Sequence, residues 1–134
     1  MKVNGKCHCG AIIYEAEVDK DHVGICHCTD CQILSGSAFR VLAYVPEKDF
    51  RLLKGKPKSY VKVAESGRRR LQLFCPDCGT SLYSMAEDDA PKTVALRVGA
   101  MEERTALTPH IQYWHRSSLP WLGKLDAIQR KERQ

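Results

Sequence analysis

Seven cysteines fall in three short clusters, and their spacing constrains this chain more than any other feature. Cys7 and Cys9 form a C-x-C. Cys26, Cys28 and Cys31 form a C-x-C-x-x-C, and Cys75 and Cys78 form a C-x-x-C followed by Gly79. Short thiol spacings repeated at a distance are the pattern of zinc sites. A structural zinc takes four protein ligands and is closed, whereas a catalytic zinc takes three and leaves one position for water or substrate. Pairing the first and last clusters gives four thiols, and the middle cluster gives three. The seven divide with none left over, which predicts two Zn2+ per chain.

Other uses of cysteine fit less well. An odd count leaves one thiol outside any set of disulfides, and the start MKVNGK lacks the apolar stretch of a signal peptide. The expected compartment is the cytoplasm, where thiols stay reduced. A thioredoxin-like role needs one C-x-x-C beside a βαβ pattern, and few helical signals are present. Neither usual ferredoxin spacing occurs.

With 134 residues the chain is expected to form one domain, 1–134, with a modest core and the C-terminal segment packed on it. A hydrophobic fraction of 43% and a charged fraction of 28% describe an ordinary globular protein. No stretch approaches the roughly 18 apolar residues of a membrane span, so no membrane partner is expected. The net charge of +5 assists anionic ligands weakly. Apart from Arg68, Arg69 and Arg70 and the tail Arg130, Lys131 and Arg133, basic residues are scattered. Both runs read as solvated faces. A nucleic-acid partner would want a concentrated basic face with interleaved aromatics, and none is expected.

The residue pattern is one of short strands and frequent turns. Over 11–18, Ile12, Tyr14, Ala16 and Val18 alternate with polar positions, the period of a half-buried strand. Residues 23–26 form a second short strand. Thr29 and Asp30 are expected to cap a helical turn running through Cys31 to Leu34 and ended by Gly36. A strand is expected over 39–45, with Phe39, Val41, Ala43 and Val45 on one side and Pro46 as its stop. Residues 58–63 and 69–74 flank Ser66-Gly67 as a hairpin with a longer loop. Strands over 80–85 and 93–98 follow, separated by a polar loop at 87–91, with Val94, Leu96 and Val98 sharing a face. Residues 111–125 carry both tryptophans and read as irregular.

In an extended segment, residues i and i+2 face one side. Cys7 and Cys9 can then reach one metal with His8 turned away, and Cys26 and Cys28 another with His27 turned away. Cys75-Pro76-Asp77-Cys78-Gly79 reads as a zinc knuckle whose backbone N–H groups approach the sulfurs. The four-thiolate set Cys7, Cys9, Cys75 and Cys78 would tie distant parts of the chain together. The three-thiol set lies in one local loop. His27 is the nearest candidate for a general base, but its expected orientation makes it a hydrogen-bonded strand residue. His110 and His115 read as packing or surface histidines.

The ordered motifs Cys7-His8-Cys9-Gly10, Cys26-His27-Cys28-Thr29-Asp30-Cys31, Ser35-Gly36-Ser37-Ala38-Phe39 and Phe74-Cys75-Pro76-Asp77-Cys78-Gly79-Thr80 resemble the glutathione-dependent formaldehyde-activating enzyme family, which includes centromere protein V. The resemblance covers roughly residues 4–125. It implies a mainly β fold, an Mss4-like arrangement of small antiparallel sheets around zinc sites. It implies a structural zinc on Cys7, Cys9, Cys75 and Cys78 and a catalytic zinc on Cys26, Cys28 and Cys31. The implied partner is a small thiol such as glutathione. The implied activity is that of a carbon–sulfur lyase, joining formaldehyde and glutathione as S-(hydroxymethyl)glutathione. The alternative is a non-catalytic zinc module that binds or carries glutathione or another partner. Arg40, Lys62 and Arg97 are candidates to pair with ligand carboxylates, but each reads more simply as a surface cation.

Overall fold

The computed structural model describes residues 1–88 and 90–134; residue 89, within the polar loop read at 87–91, lies outside the described residues. The strands run in the order β1 (Lys2–Lys6), β2 (Ile13–Glu17), β3 (Val23–Cys26), β4 (Arg40–Pro46), β5 (Phe50–Lys54), β6 (Lys58–Val63), β7 (Arg69–Phe74), β8 (Ser81–Ala86), β9 (Thr93–Arg97) and β10 (Ile111–Tyr113). A short helix, α1 (Thr29–Ser35), joins β3 to β4. One sheet has the order β1-β2-β5, and the other has the order β10-β3-β4-β9-β8-β7-β6. Every pairing is antiparallel except β10 on β3.

The core follows from period-2 burial. Ile12, Tyr14, Ala16 and Val18 are all buried, as the alternation predicts. They pack with Val3 of β1 and with Val23, Ala43, Val45, Val94 and Leu96 of the larger sheet. The smaller sheet therefore covers one face of the larger one. Gly5 lies opposite Tyr14 in the β1–β2 register. A Cβ on Gly5 would lie 2.0 Å from the Tyr14 ring, so only glycine lets this buried aromatic lie across β1.

The opposite face of the larger sheet is also used. On β4, Val41, Ala43 and Val45 meet the main core, while Leu42 and Tyr44 join a second cluster with Cys26, Ala95, Cys28 and Cys31. On β9, Val94 and Leu96 face the core and Ala95 faces this second cluster. The second face carries the site described below.

Several sequence expectations shift by a residue or two, as element ends usually do. The strand expected over 39–45 begins at Arg40 and takes in Pro46. The helix N-cap is Cys28 rather than Thr29 or Asp30: the Cys28 Sγ accepts from the Cys31 N–H at 3.3 Å. A sulfur displaces the usual oxygen cap because the thiol loop itself starts the helix. Gly36 ends the helix at φ +62°, donating to Gln32 and Ile33 carbonyls. The C-terminal segment joins the sheet through its backbone, β10 pairing with β3. Its packing over the core is limited, since Trp114, Trp121, Leu125 and Ile128 remain exposed. No helix among the described residues is long and apolar enough to cross a membrane.

Candidate metal centres and the cation-lined cavity

The structure gathers the cysteines into two groups, Cys7 with Cys9, Cys75 and Cys78, and Cys26 with Cys28 and Cys31. Within each group every pair of sulfurs lies within 4.8 Å. In the larger group Cys7 and Cys9 sulfurs are 3.6 Å apart and Cys9 and Cys75 sulfurs 3.8 Å. A tetrahedral zinc with Zn–S bonds of about 2.3 Å spaces its sulfurs by about 3.8 Å. A disulfide would bring them to about 2.0 Å. The donor set and its spacing fit metal.

Two matching turns build the four-cysteine group. Cys75 N–H donates to the Thr80 carbonyl at 3.0 Å, and Cys7 N–H donates to the Ile12 carbonyl at 3.1 Å. Gly79 and Gly10 both take φ of +76°, where L side chains are strained. Cys7 and Cys9 thus converge through a tight turn, not through the extended segment read from their spacing. The Ile12 N–H donates to the Cys7 sulfur at 3.2 Å, the N–H-to-sulfur contact expected of a knuckle. The His8 N–H donates to Thr80 Oγ1 at 3.0 Å and links the two turns. Contact with Thr80, through its hydroxyl and its N–H, holds the Cys78 thiol down at about 5. Cys7 and Cys75 are fully buried, whereas Cys9 and Cys78 are exposed.

The three-cysteine group is local. Cys26 ends β3, Cys28 caps α1 and Cys31 lies in its first turn. Among the described residues no fourth histidine, cysteine or carboxylate joins the three. A hydrogen bond from Cys31 holds the Cys26 thiol down at about 5 against burial, helped by the Cys28 backbone N–H and the Arg40 charge. The same pairing and burial push Cys31 up.

His27 is buried and turned into the protein, as its flanking position predicts. Its Nε2 meets Gln112 Oε1 at 2.7 Å, and its ring packs edge-on against Phe39 and His115. Gln32 donates to the carbonyls of His27 and Ser117 at 2.8 and 3.0 Å. These bonds fasten the cysteine loop to the C-terminal segment. His8, His110 and His115 are exposed.

Cys26, Cys28 and Cys31 line a cavity of about 300 Å3. Its walls recur at every second position: Arg40, Leu42 and Tyr44 on β4, Thr93, Ala95 and Arg97 on β9, and Arg70 and Gln72 on β7. Lys62, Trp114 and Asp30 are among its other lining residues. A neighbouring, larger cavity of about 510 Å3 shares Cys28, Asp30, Lys62 and Trp114 with it. Lys62 Nζ pairs with Asp30 at 2.8 Å where the two meet.

Arg40 and Arg97 are 7% and 6% exposed, so the sequence reading of them as surface cations is wrong. Their positions alternate with the core face, but the face they occupy is covered rather than solvated. Gln72 Oε1 accepts from Arg97 Nη2 at 2.8 Å and from Arg40 Nη1 at 3.2 Å. Arg97 also donates to the Ala95 carbonyl at 2.9 Å and to Ser81 Oγ at 3.3 Å. Burial and the neighbouring Arg40 charge push Arg97 down to about 9, so it stays a cation at neutral pH. Burial pushes the Tyr44 hydroxyl up to about 12, keeping it protonated. Gln72, unremarkable in the sequence, is the residue that joins the two guanidiniums.

Comparison with known proteins places this geometry. The profile described as glutathione-dependent formaldehyde-activating enzyme matches residues 2–117. The chain belongs to this family. An uncharacterised lyase of Schizosaccharomyces pombe is 29% identical over 79 residues, which is 59% of this chain and 54% of that protein. A Penicillium rubens protein provisionally named as a glutathione-dependent formaldehyde-activating enzyme is 30% identical over 88 residues, 64% of this chain and 45% of that one. The chain thus spans about half the length of both relatives. A crystal structure of a Rhodobacter sphaeroides protein superposes with a TM-score of 0.63 at 21% identity, covering 84% of this chain and 99% of that one. The fold is the mainly β, Mss4-like one that the motifs imply.

Proposed function

We propose that the protein is a two-zinc enzyme of the carbon–sulfur lyase type, acting on the adduct of a glutathione-like thiol and a small aldehyde, S-(hydroxymethyl)glutathione in the founding case. In this reading Cys7, Cys9, Cys75 and Cys78 hold the structural zinc, and Cys26, Cys28 and Cys31 the catalytic one. Its setting is a reducing compartment such as the cytoplasm, where seven thiols persist. The observation that carries the reading is that the three-cysteine group opens into a cavity rich in cations. Family membership supports the reaction class.

Cys26, Cys28 and Cys31 would hold the zinc, which would supply the acidity that makes an incoming thiol a nucleophile at neutral pH. Carbon–sulfur bond formation breaks the aldehyde π bond, and the thiol proton ends on the former carbonyl oxygen. The reverse is the lyase direction. The chain's own contribution is placement. β3 and α1 fix the three sulfurs, buried Leu42 and Ala95 form a wall with half-buried Tyr44, and Trp114 lines another side. Buried cations favour an anionic sulfur over a neutral one. His27 is committed to Gln112 and is not assigned a proton-transfer role.

Calorimetry of the zinc-loaded protein with glutathione and S-methylglutathione tests the reading. Glutathione is expected to bind, and binding is expected to vanish in Cys26→Ser, in Cys31→Ser and with the methylated ligand. Equal binding of the two ligands would overturn sulfur ligation. Adduct formation above the spontaneous rate then separates an enzyme from a carrier.

A further inference from the structure

Two guanidiniums lie buried beside the three-cysteine group, with no carboxylate paired to them among the described residues. Arg40 sits directly across from Cys26 in the β3–β4 register, and Arg97 lies across from Leu42 on the next strand. Their shared partner, Gln72, is neutral. The one acid lining the cavity among the described residues is Asp30, and it pairs with Lys62. A zinc on three thiolates carries a net charge of −1 and can offset one guanidinium only. A buried cation without a counter-charge is costly, so a fold that keeps two has a use for the second.

The hydrogen bonding points the same way. Arg97 is fixed by three acceptors and presents a rigid fork. Arg40 is held through Nη1, while its Nε is buried with no partner among the described residues. The Arg40 guanidinium also lines the cavity, where an entering acceptor would meet it. A guanidinium pair recognises planar oxyanions, and carboxylates above all, through paired N–H donors.

We propose that Arg40 and Arg97 form a carboxylate subsite next to the three-cysteine group, and that the thiol taken there carries its carboxylate on the same molecule as the sulfur. This rests on the thiol-ligand reading above. The cavity of about 300 Å3 suits a short mercaptocarboxylate entirely, or one carboxylate arm of a tripeptide whose remainder occupies the adjoining cavity past Trp114. Formaldehyde and neutral thiols make no use of the pair. The subsite selects the thiol partner rather than the electrophile.

The test compares ligands on the wild-type zinc-loaded protein, so it does not depend on how a buried arginine variant folds. Calorimetry would use mercaptoacetate against 2-mercaptoethanol, glutathione against its diethyl ester, and glycolate, which keeps the carboxylate and replaces the thiol by a hydroxyl. A charge-assisted pair predicts binding about tenfold to a hundredfold tighter for the carboxylate-bearing member. Preference within the small pair assigns the subsite to short mercaptocarboxylates. Preference within the glutathione pair alone assigns it to an arm of the tripeptide. Arg97→Met, checked for folding by its melt, is expected to remove the preference while 2-mercaptoethanol still binds. Equal affinities within both pairs overturn the subsite and leave sulfur ligation standing. Glycolate binding without 2-mercaptoethanol binding keeps the subsite and overturns sulfur ligation. Absence of binding by all five ligands overturns both.

Discussion

Gln72 holds the site's two buried cations with one oxygen, accepting from Arg40 and Arg97 at once. Gln72→Leu keeps the volume roughly and removes that acceptor from both charged donors. A loss of about 2–3 kcal/mol in stability is expected, read by denaturant unfolding of the zinc-loaded protein. A change below about 0.5 kcal/mol, the range of an inert surface substitution, would show that the guanidiniums find other acceptors. The residue was silent in the sequence because one glutamine in a strand carries no spacing signal. Arg40 and Arg97 were visible but misread. A polar residue alternating with core residues ordinarily points to solvent, and nothing local reveals that this face of the sheet is itself covered. His27 was legible, because a residue flanked by two ligands two apart must turn the other way.

At the scale of elements, the two cysteine groups are built differently. The matching turns at Cys7–Gly10 and Cys75–Gly79 lie far apart in the sequence and meet through the Cys9–Cys75 and His8–Thr80 contacts. The Cys26–Cys31 loop closes on itself and is fastened by Gln32 and β10. A structural zinc contributes folding free energy on the order of 10 kcal/mol in small zinc domains. Cys7→Ser is therefore expected to lower the melting temperature sharply or abolish folding, and Cys28→Ser to leave a cooperative melt with one metal fewer. Thermal melts with elemental analysis check this, and equal destabilisation by the two would contradict the division. The strands most legible in the sequence were those buried on one side with clean alternation, β2 above all. β1 escaped notice because one of its two inward positions is Gly5, buried only by the Tyr14 ring across from it. β5 and β10 are largely exposed and carry no alternation to read.

At the scale of the molecule, one sheet serves two purposes. One face packs against the smaller sheet as a core, and the other carries the cysteine loop, the guanidiniums and the cavity. Groups carried on strands of one sheet are held rigidly, which suits a preformed metal and ligand site. The cysteine spacings made the division into four and three legible, because ligand geometry is local. The cavity was not legible, because its walls come from β4, β7 and β9, which only the fold brings side by side. X-ray absorption at the zinc edge, on freshly loaded protein with and without glutathione, tests the central claim. Two zincs, one with four sulfurs and one with three, give an average of about 3.5 sulfurs per metal, rising to about 4 when a thiol enters the second site. An average that starts at about 4, or that stays unchanged on adding glutathione, would contradict a three-cysteine zinc that takes its substrate through sulfur.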